Sequence, residues 1–245
     1  MASIAVLLAL RRSLAFAGEH PSSLDQWAHG LLDIGDQVSK GQMTMIEWQE
    51  RVAILNQSVP TADLVKYLDL KKLTGGFTYF NRLARTADVR MPEHVTPLMP
   101  LSERNWFVRV FAMRRGGVIL PHIHNNMVSC HLVISGSFHV RTHDRIKDLD
   151  DAVVLRPTMD HLIKAGDVIT MSDQRNNQHW FVAEDDQSQT FDAGVIGLNA
   201  SWPYGLKADQ NTIFVDVDRT EERDGTIVAP RMTFLDCAEK YAADA

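Results

Sequence analysis

Two histidines two positions apart, His122 and His124, and a third fifty-five residues further on, His179, are the side chains of this sequence best suited to chemistry. On an extended strand, His122 and His124 leave the backbone on the same side. Two imidazoles converging from one strand are good ligands for a borderline divalent metal. Gly116 lies six residues before His122 and Gly136 twelve after His124, positions that suit turns at the two ends of the segment. The bland alternative is a pair of surface histidines on an edge strand. The flanking glycines and the later histidine favour a metal site with His179 as third ligand. His131 shares strand parity with Ser129 and so faces the same side, as a hydrogen-bonding neighbour of the ligands or as an extra ligand. Arg109 interrupts the apolar run Trp106 to Met113 and shares a strand face with Phe107, Phe111 and Met113. A guanidinium there must find an anion or reach an opening. It is read either as a structural ion pair or as the anchor of a substrate carboxylate. Asp192 is the one acid in the apolar stretch 189–198.

The elements that would carry these residues fall into two kinds. Residues 20–75 read as helices. Leu24, Trp27, Ala28, Leu31 and Leu32 follow the spacing of one helix face. Thr44 and Glu47 have the form of a capping box, and Trp48, Val52 and Leu55 continue an apolar stripe. Pro60 closes that segment, and Thr61 is placed to cap the next helix, with Leu64, Tyr67 and Leu68 on its buried side. From about residue 87 the pattern changes to strands: Trp106 to Met113, the histidine segment, Gly136 to Asp144, Ala165 to Met171, the stretch holding His179, 189–198, and Asn211 to Val217 as the last. His139, Arg141 and His143 read as a solvated strand face. Residues 144–160 are charged and read as a loop, and Asp173 to Asn177 as a polar loop. The tail from Pro230 reads as a short helix. The expected division is a helical extension over 1–86, a β domain over 87–218 and a tail over 219–245. The helices pack on that domain or form the interface of a homodimer.

The chain has 245 residues, a net charge of −6 and 45% hydrophobic content, enough to bury a sizeable core. A mildly acidic chain has no electrostatic reason to bind nucleic acid. Cys130 and Cys237 make no disulfide framework, which points to a reducing, cytoplasmic setting. No apolar run reaches the length of a bilayer span. The first eighteen residues hold an apolar stretch like a secretory signal. Their positive charges, Arg11 and Arg12, follow that stretch instead of preceding it, and an amphipathic helix fits at least as well.

The order of glycine, His-x-His and a strand ending in glycine resembles the first motif of the cupin β-barrel. His179 resembles the histidine of the second, displaced by two residues. The resemblance implies a mainly β fold, a cupin (jelly-roll) barrel with an N-terminal helical extension. Where many cupins place a glutamate ligand, this chain has Ser129. From Phe111 to Asp192 the sequence is similar to the cysteamine dioxygenase and plant cysteine oxidase branch of thiol dioxygenases. The matching residues are Pro121, His122, His124 and Met127; Gly136 to Thr142 with Asp144; Asn177, His179, Phe181 and Ala183; and Asp192.

That resemblance implies Fe(II) held by His122, His124 and His179, with a small thiol and O2 as substrates and a sulfinate as product. Three neutral imidazoles leave the ion its full charge and open positions, which suits an anionic thiolate plus dioxygen. Asp192 is then expected to orient a ligand imidazole or to bond the substrate. The family's proline-rich turn after the aspartate is missing, as is its C-terminal cysteine–tyrosine region. Tyr204 stands as the candidate replacement in substrate binding, at a different spacing. The three histidines also permit another metal-dependent cupin reaction, such as ring or C–C cleavage, or a non-catalytic ligand-binding cupin.

Overall fold

The computed structural model describes residues 23–95, 105–198, 212–218 and 221–243. Four helices come first: α1 (Ser23–Ser39), α2 (Met45–Gln57), α3 (Thr61–Tyr67) and α4 (Leu70–Thr74). The Thr44 capping box forms at the start of α2: the Glu47 amide donates to the Thr44 hydroxyl at 3.2 Å and the Thr44 amide to the Glu47 carboxylate at 2.9 Å. Thr61 does not cap. Pro60 takes the cap position, and its carbonyl receives the Asp63 and Leu64 amides directly.

Twelve strands follow: β1 (Arg85–Asp88), β2 (Trp106–Met113), β3 (Val118–His124), β4 (Met127–Ser135), β5 (Ser137–Asp148), β6 (Ala152–Lys164), β7 (Val168–Ser172), β8 (Gln178–Ala183), β9 (Ser188–Ile196), β10 (Thr212–Val215), β11 (Glu221–Arg223) and β12 (Thr226–Met232). Helix α5 (Phe234–Ala242) comes last. They form a five-stranded sheet, β1-β2-β9-β4-β7, and a seven-stranded sheet, β10-β3-β8-β5-β6-β12-β11, both antiparallel. Pairing of β10 with β12 closes six strands into a barrel, and the expected mainly β, cupin-type architecture with N-terminal helices is present.

Three sequence expectations change here. Residues 144–160 are the arms and turn of the long β5–β6 hairpin; Val153 and Leu155 pack against Ile123, Ile213 and Val215, while Lys147, Asp150, Asp151, Arg156 and Asp160 stay exposed and Arg145 is buried. The sheet runs past residue 218, because β12 pairs with both β6 and β10. His143 is not solvated as expected: β5 runs in unbroken register with β8, which sets His143 opposite Gln178, where it is buried.

The layers follow from the side-chain alternation. One face of the five-stranded sheet (Val108, Val110, Val128, Cys130, Leu132, Phe191) packs with Trp27, Leu31, Trp48, Val52 and Leu64 of the helices. Two buried amides cross this interface. Asn56 accepts from Trp27 Nε1 at 2.9 Å and donates to Cys130 Sγ at 3.1 Å. Gln49 donates to Thr170 and accepts from Ser172. The helices thus pack on the barrel. The opposite face looks into the space between the sheets, where Met113, Val133, Phe138, Val140, Ile169 and Phe181 fill one half. Helix α5 covers the back of β3 and β8 through Cys237 and Tyr241. Both cysteines are free and buried, and no described helix is long and apolar enough to cross a membrane.

Gly116 and Gly136 both take the left-handed backbone their motif positions require, at φ +73° and +67°. A Cβ on Gly136 would also lie 2.5 Å from Ser188 Oγ and 2.9 Å from its Cα. Gly136→Ala is therefore expected to cost about 1–3 kcal/mol and to lower the Tm by roughly 2–12 °C. Thermal unfolding measures it, and an unchanged Tm would show that this turn is not under steric constraint.

Candidate metal centre

Strands β3 and β8 position the three histidines. Their antiparallel register puts His122 directly opposite His179, so the two rings share a face of the sheet. A register shift between Ile119 and His122 re-aims the end of β3, and His124 follows two residues on. The ring centroids lie 4.1 Å (His122–His179), 4.4 Å (His122–His124) and 5.2 Å (His124–His179) apart. One ligand nitrogen from each ring lies within 4.8 Å of the other two, and among the described residues this is the group able to hold a metal. The sequence-predicted ligands are thus brought together.

The donor set fits a metal. His122 Nδ1 donates to the Leu120 carbonyl at 2.6 Å, so its proton sits there and the Nε2 lone pair is bare. That Nε2 faces His124 Nε2 at 2.8 Å. Two ring nitrogens bound about 2.1 Å from one ion at near right angles would lie about 3 Å apart. His179 Nδ1 lies 3.3 Å from the Asn177 carbonyl, the same own-strand tether that His122 uses. Burial lowers the His122 pKa to about 4, against a raising bond to Leu120, and holds His179 well below 6.5, reinforced by the neighbouring histidines. Both rings are neutral at pH 7, the form that ligates.

A second buried group lies on the facing sheet. The register aligns Arg109, Asp192 and His131 across β2, β9 and β4. Ser129 Oγ donates to Asp192 Oδ1 at 2.5 Å, and His131 Nε2 lies 3.8 Å from Asp192 Oδ2. His131 Nδ1 meets Thr190 Oγ1 at 3.0 Å, and its ring packs on Phe111 and Phe181, with the His179 ring centroid 6.1 Å away. Burial lowers His131, with Asp192 opposing, and burial raises Asp192, with His131 opposing. His131 therefore faces the site beside the metal-binding rings, and Asp192 is held by Ser129 and His131. Arg109 is at the margin: 41% exposed, bonded to Asp88 Oδ1 at 3.1 Å and lying over the Phe107 ring. Tyr204 lies outside the described residues.

A small recess beside His124 is lined by Met127, Met171, Ser172 and Asn177. A second cavity, between helices and sheet, is walled by Leu31, Trp48, Val108 and Val195 and holds no ionisable group. Sequence reasoning missed Thr190, although its position two residues before Asp192 places it on the same face. It also missed the bonding of Asp173 and Asn177, which a polar loop of this composition does not announce.

No family model and no curated protein matches the sequence. Solved structures do. KdgF from Halomonas sp. is 16% identical, with 46% of this chain and 78% of that chain covered and a TM-score of 0.33. A cupin superfamily protein from Desulfitobacterium hafniense is 9% identical, with 51% and 87% covered and a TM-score of 0.33. Procruciferin, an 11S globulin from Brassica napus, is 14% identical, with 49% and 27% covered and a TM-score of 0.35. The match thus spans under a third of that globulin's length. Similarity this distant carries nothing about activity, and the chemistry of the site comes from its own residues.

The buried histidines set a pH dependence. His122, His131, His143 and His179 are all lowered by burial, so the unfolded chain takes up protons that the folded chain refuses. Their contribution to stability is complete above about pH 6.5 and is lost as the pH falls toward about 4. Asp173 and Asp192, raised by burial, act in the opposite sense, two groups against four. The metal-free protein is expected to lose Tm between pH 7 and pH 5, and His131→Phe to flatten that slope. A Tm that rises toward pH 5 would contradict the assignment.

Proposed function

We propose that this protein is a non-haem Fe(II) dioxygenase that oxidises a small thiol to a sulfinate with O2. The observation that carries the proposal is the composition of the converging group: three histidines, two buried and one half-buried, and no carboxylate. Position 129, where a glutamate would complete a His₃Glu set, holds a serine whose hydroxyl is spent on Asp192. Such a site binds a divalent ion through neutral donors only, leaving it the positive charge that favours a soft thiolate partner.

When bound, Fe(II) would hold thiolate and O2 together and supply the electrons that let O2 react. The overall change balances: one thiol and one O2 give one sulfinic acid, with both oxygens on sulfur and no outside reductant. The chain's own residues do the rest. Nδ1 of His122, bonded to the Leu120 carbonyl, fixes the ring so that Nε2 faces inward. Phe111 and Phe181 pack on His131, and Phe181 also on His179, an apolar wall that limits water on that side. His131 and Asp192 share a buried proton-holding pair, with Ser129 and Thr190 fixing the far side of each. In this reading that pair would receive the thiol proton. Arg109 acts as a structural ion pair with Asp88 and would have to leave it to anchor a substrate carboxylate.

The test is metal analysis of protein purified without chelator, followed by oxygen uptake against a panel of small thiols. The expected result is near-stoichiometric iron and thiol-dependent O2 uptake matched by sulfinate, both lost in His122→Ala. Iron without thiol turnover would point to another metal-dependent cupin reaction. Protein that takes up no metal would point to a ligand-binding barrel without catalysis.

A further inference from the structure

Two of the three histidines are held by their own strands, through Leu120 and Asn177. His124 is placed differently. It is the last residue of β3, half-buried, and it leads into a two-residue turn in which Asn126 takes the left-handed backbone at φ +62°. A ligand at a strand end beside such a turn is only as well placed as the turn itself.

The bonds of that turn come largely from one loop, 173–177, which joins β7 to β8. Both oxygens of the Asp173 carboxylate accept the Asn126 amide at 3.0 Å, and the Met127 amide also bonds to Asp173. Asn177 Nδ2 donates to the His124 carbonyl and to the Ser172 carbonyl, both at 2.9 Å. The Asn126 carbonyl receives the Gly197 and Leu198 amides. From the other side, the buried Arg145 guanidinium bonds Asn125 Oδ1 and is itself fixed by Asp148. Asp173 and Asn177 are both buried, at 7% and 1% exposure, so these bonds do not compete with bulk water.

We propose that the β7–β8 loop is a clamp on the metal centre, with Asp173 and Asn177 as positioning residues that fix the backbone from His124 to Met127 and so the place of the His124 ring. The loop ends two residues before His179, so one short segment sets two ligands at once: His179 through the chain and His124 through side-chain bonds. The inference rests on the metal-centre reading above.

Cobalt(II) alone is the probe, because its visible absorption reports both occupancy and coordination geometry. The full-length protein is titrated well below its unfolding temperature, and the metal-free Tm of every variant is measured alongside. Asp173→Ala and Asn177→Asp, the latter turning a donor amide into a carboxylate facing two carbonyls, are expected to weaken Co(II) binding by about 10–100-fold and to change the spectrum. Asp173→Asn, which keeps one acceptor oxygen, should fall between them and the parent. Asn56→Ala is the control. It breaks a buried bond between helix and sheet, so it should lower the metal-free Tm and leave the Co(II) affinity and spectrum at parental values. Parental affinity and spectrum in Asn177→Asp and Asp173→Asn would overturn the clamp. So would an equal loss of affinity in Asn56→Ala, since affinity would then merely follow stability. Should Asp173→Ala fail to fold, the two near-isosteric variants decide. Undiminished Co(II) binding by His122→Ala would instead overturn the metal centre itself.

Discussion

The proposed function of this chain depends on three imidazoles held together, His122 and His179 buried and neutral and His124 half-buried. Such a cluster is unfavourable without a cation. Burial lowers the pKa values of His122 and His179, so both rings are neutral at neutral pH, and Nε2 of His122 meets Nε2 of His124 at 2.8 Å. A divalent ion relieves that arrangement. The barrel has to hold the three rings in place, and most of the surrounding structure can be understood from that requirement.

The cross-strand register of β3 and β8 does the first part, by placing His122 against His179. The covering layers do the second. Helices α1 to α3 bury the outer face of the five-stranded sheet, and α5 buries the back of β3 and β8, so both walls of the site are backed by packed side chains. Between the sheets, an apolar plug led by Phe138 and Phe181 closes one half and leaves the polar groups in the other. The Ser129, Asp192, His131 and Thr190 bonds satisfy the buried polar atoms that face the metal-binding rings.

The sequence showed the chemistry better than the scaffold. His122, His124 and His179 were legible because strand parity and two flanking glycines constrain where their side chains go, and the α2 cap was legible because its two bonds are local. What escaped depends on pairing between distant segments. The β5–β6 hairpin looked like a loop because most of its charged residues are exposed while Val153 and Leu155 face a cluster assembled from three other strands, β3, β10 and β12. His143 keeps the parity of Arg141, and its burial comes from Gln178 on the neighbouring strand β8, which the β5 segment alone does not show. The bonds of Asp173 and Asn177 to the β3–β4 turn span forty-seven and fifty-three residues and leave no periodic signal.

The most direct measurement of the central claim is the metal K-edge X-ray absorption spectrum of the metal-loaded protein, compared with that of His179→Ala. Three imidazoles at one ion predict a nitrogen shell at about 2.1 Å with the outer-shell pattern of histidine rings, and the loss of one ring from that pattern in the variant. An identical spectrum from His179→Ala, or a parent spectrum fitted by fewer than three imidazoles, would contradict it.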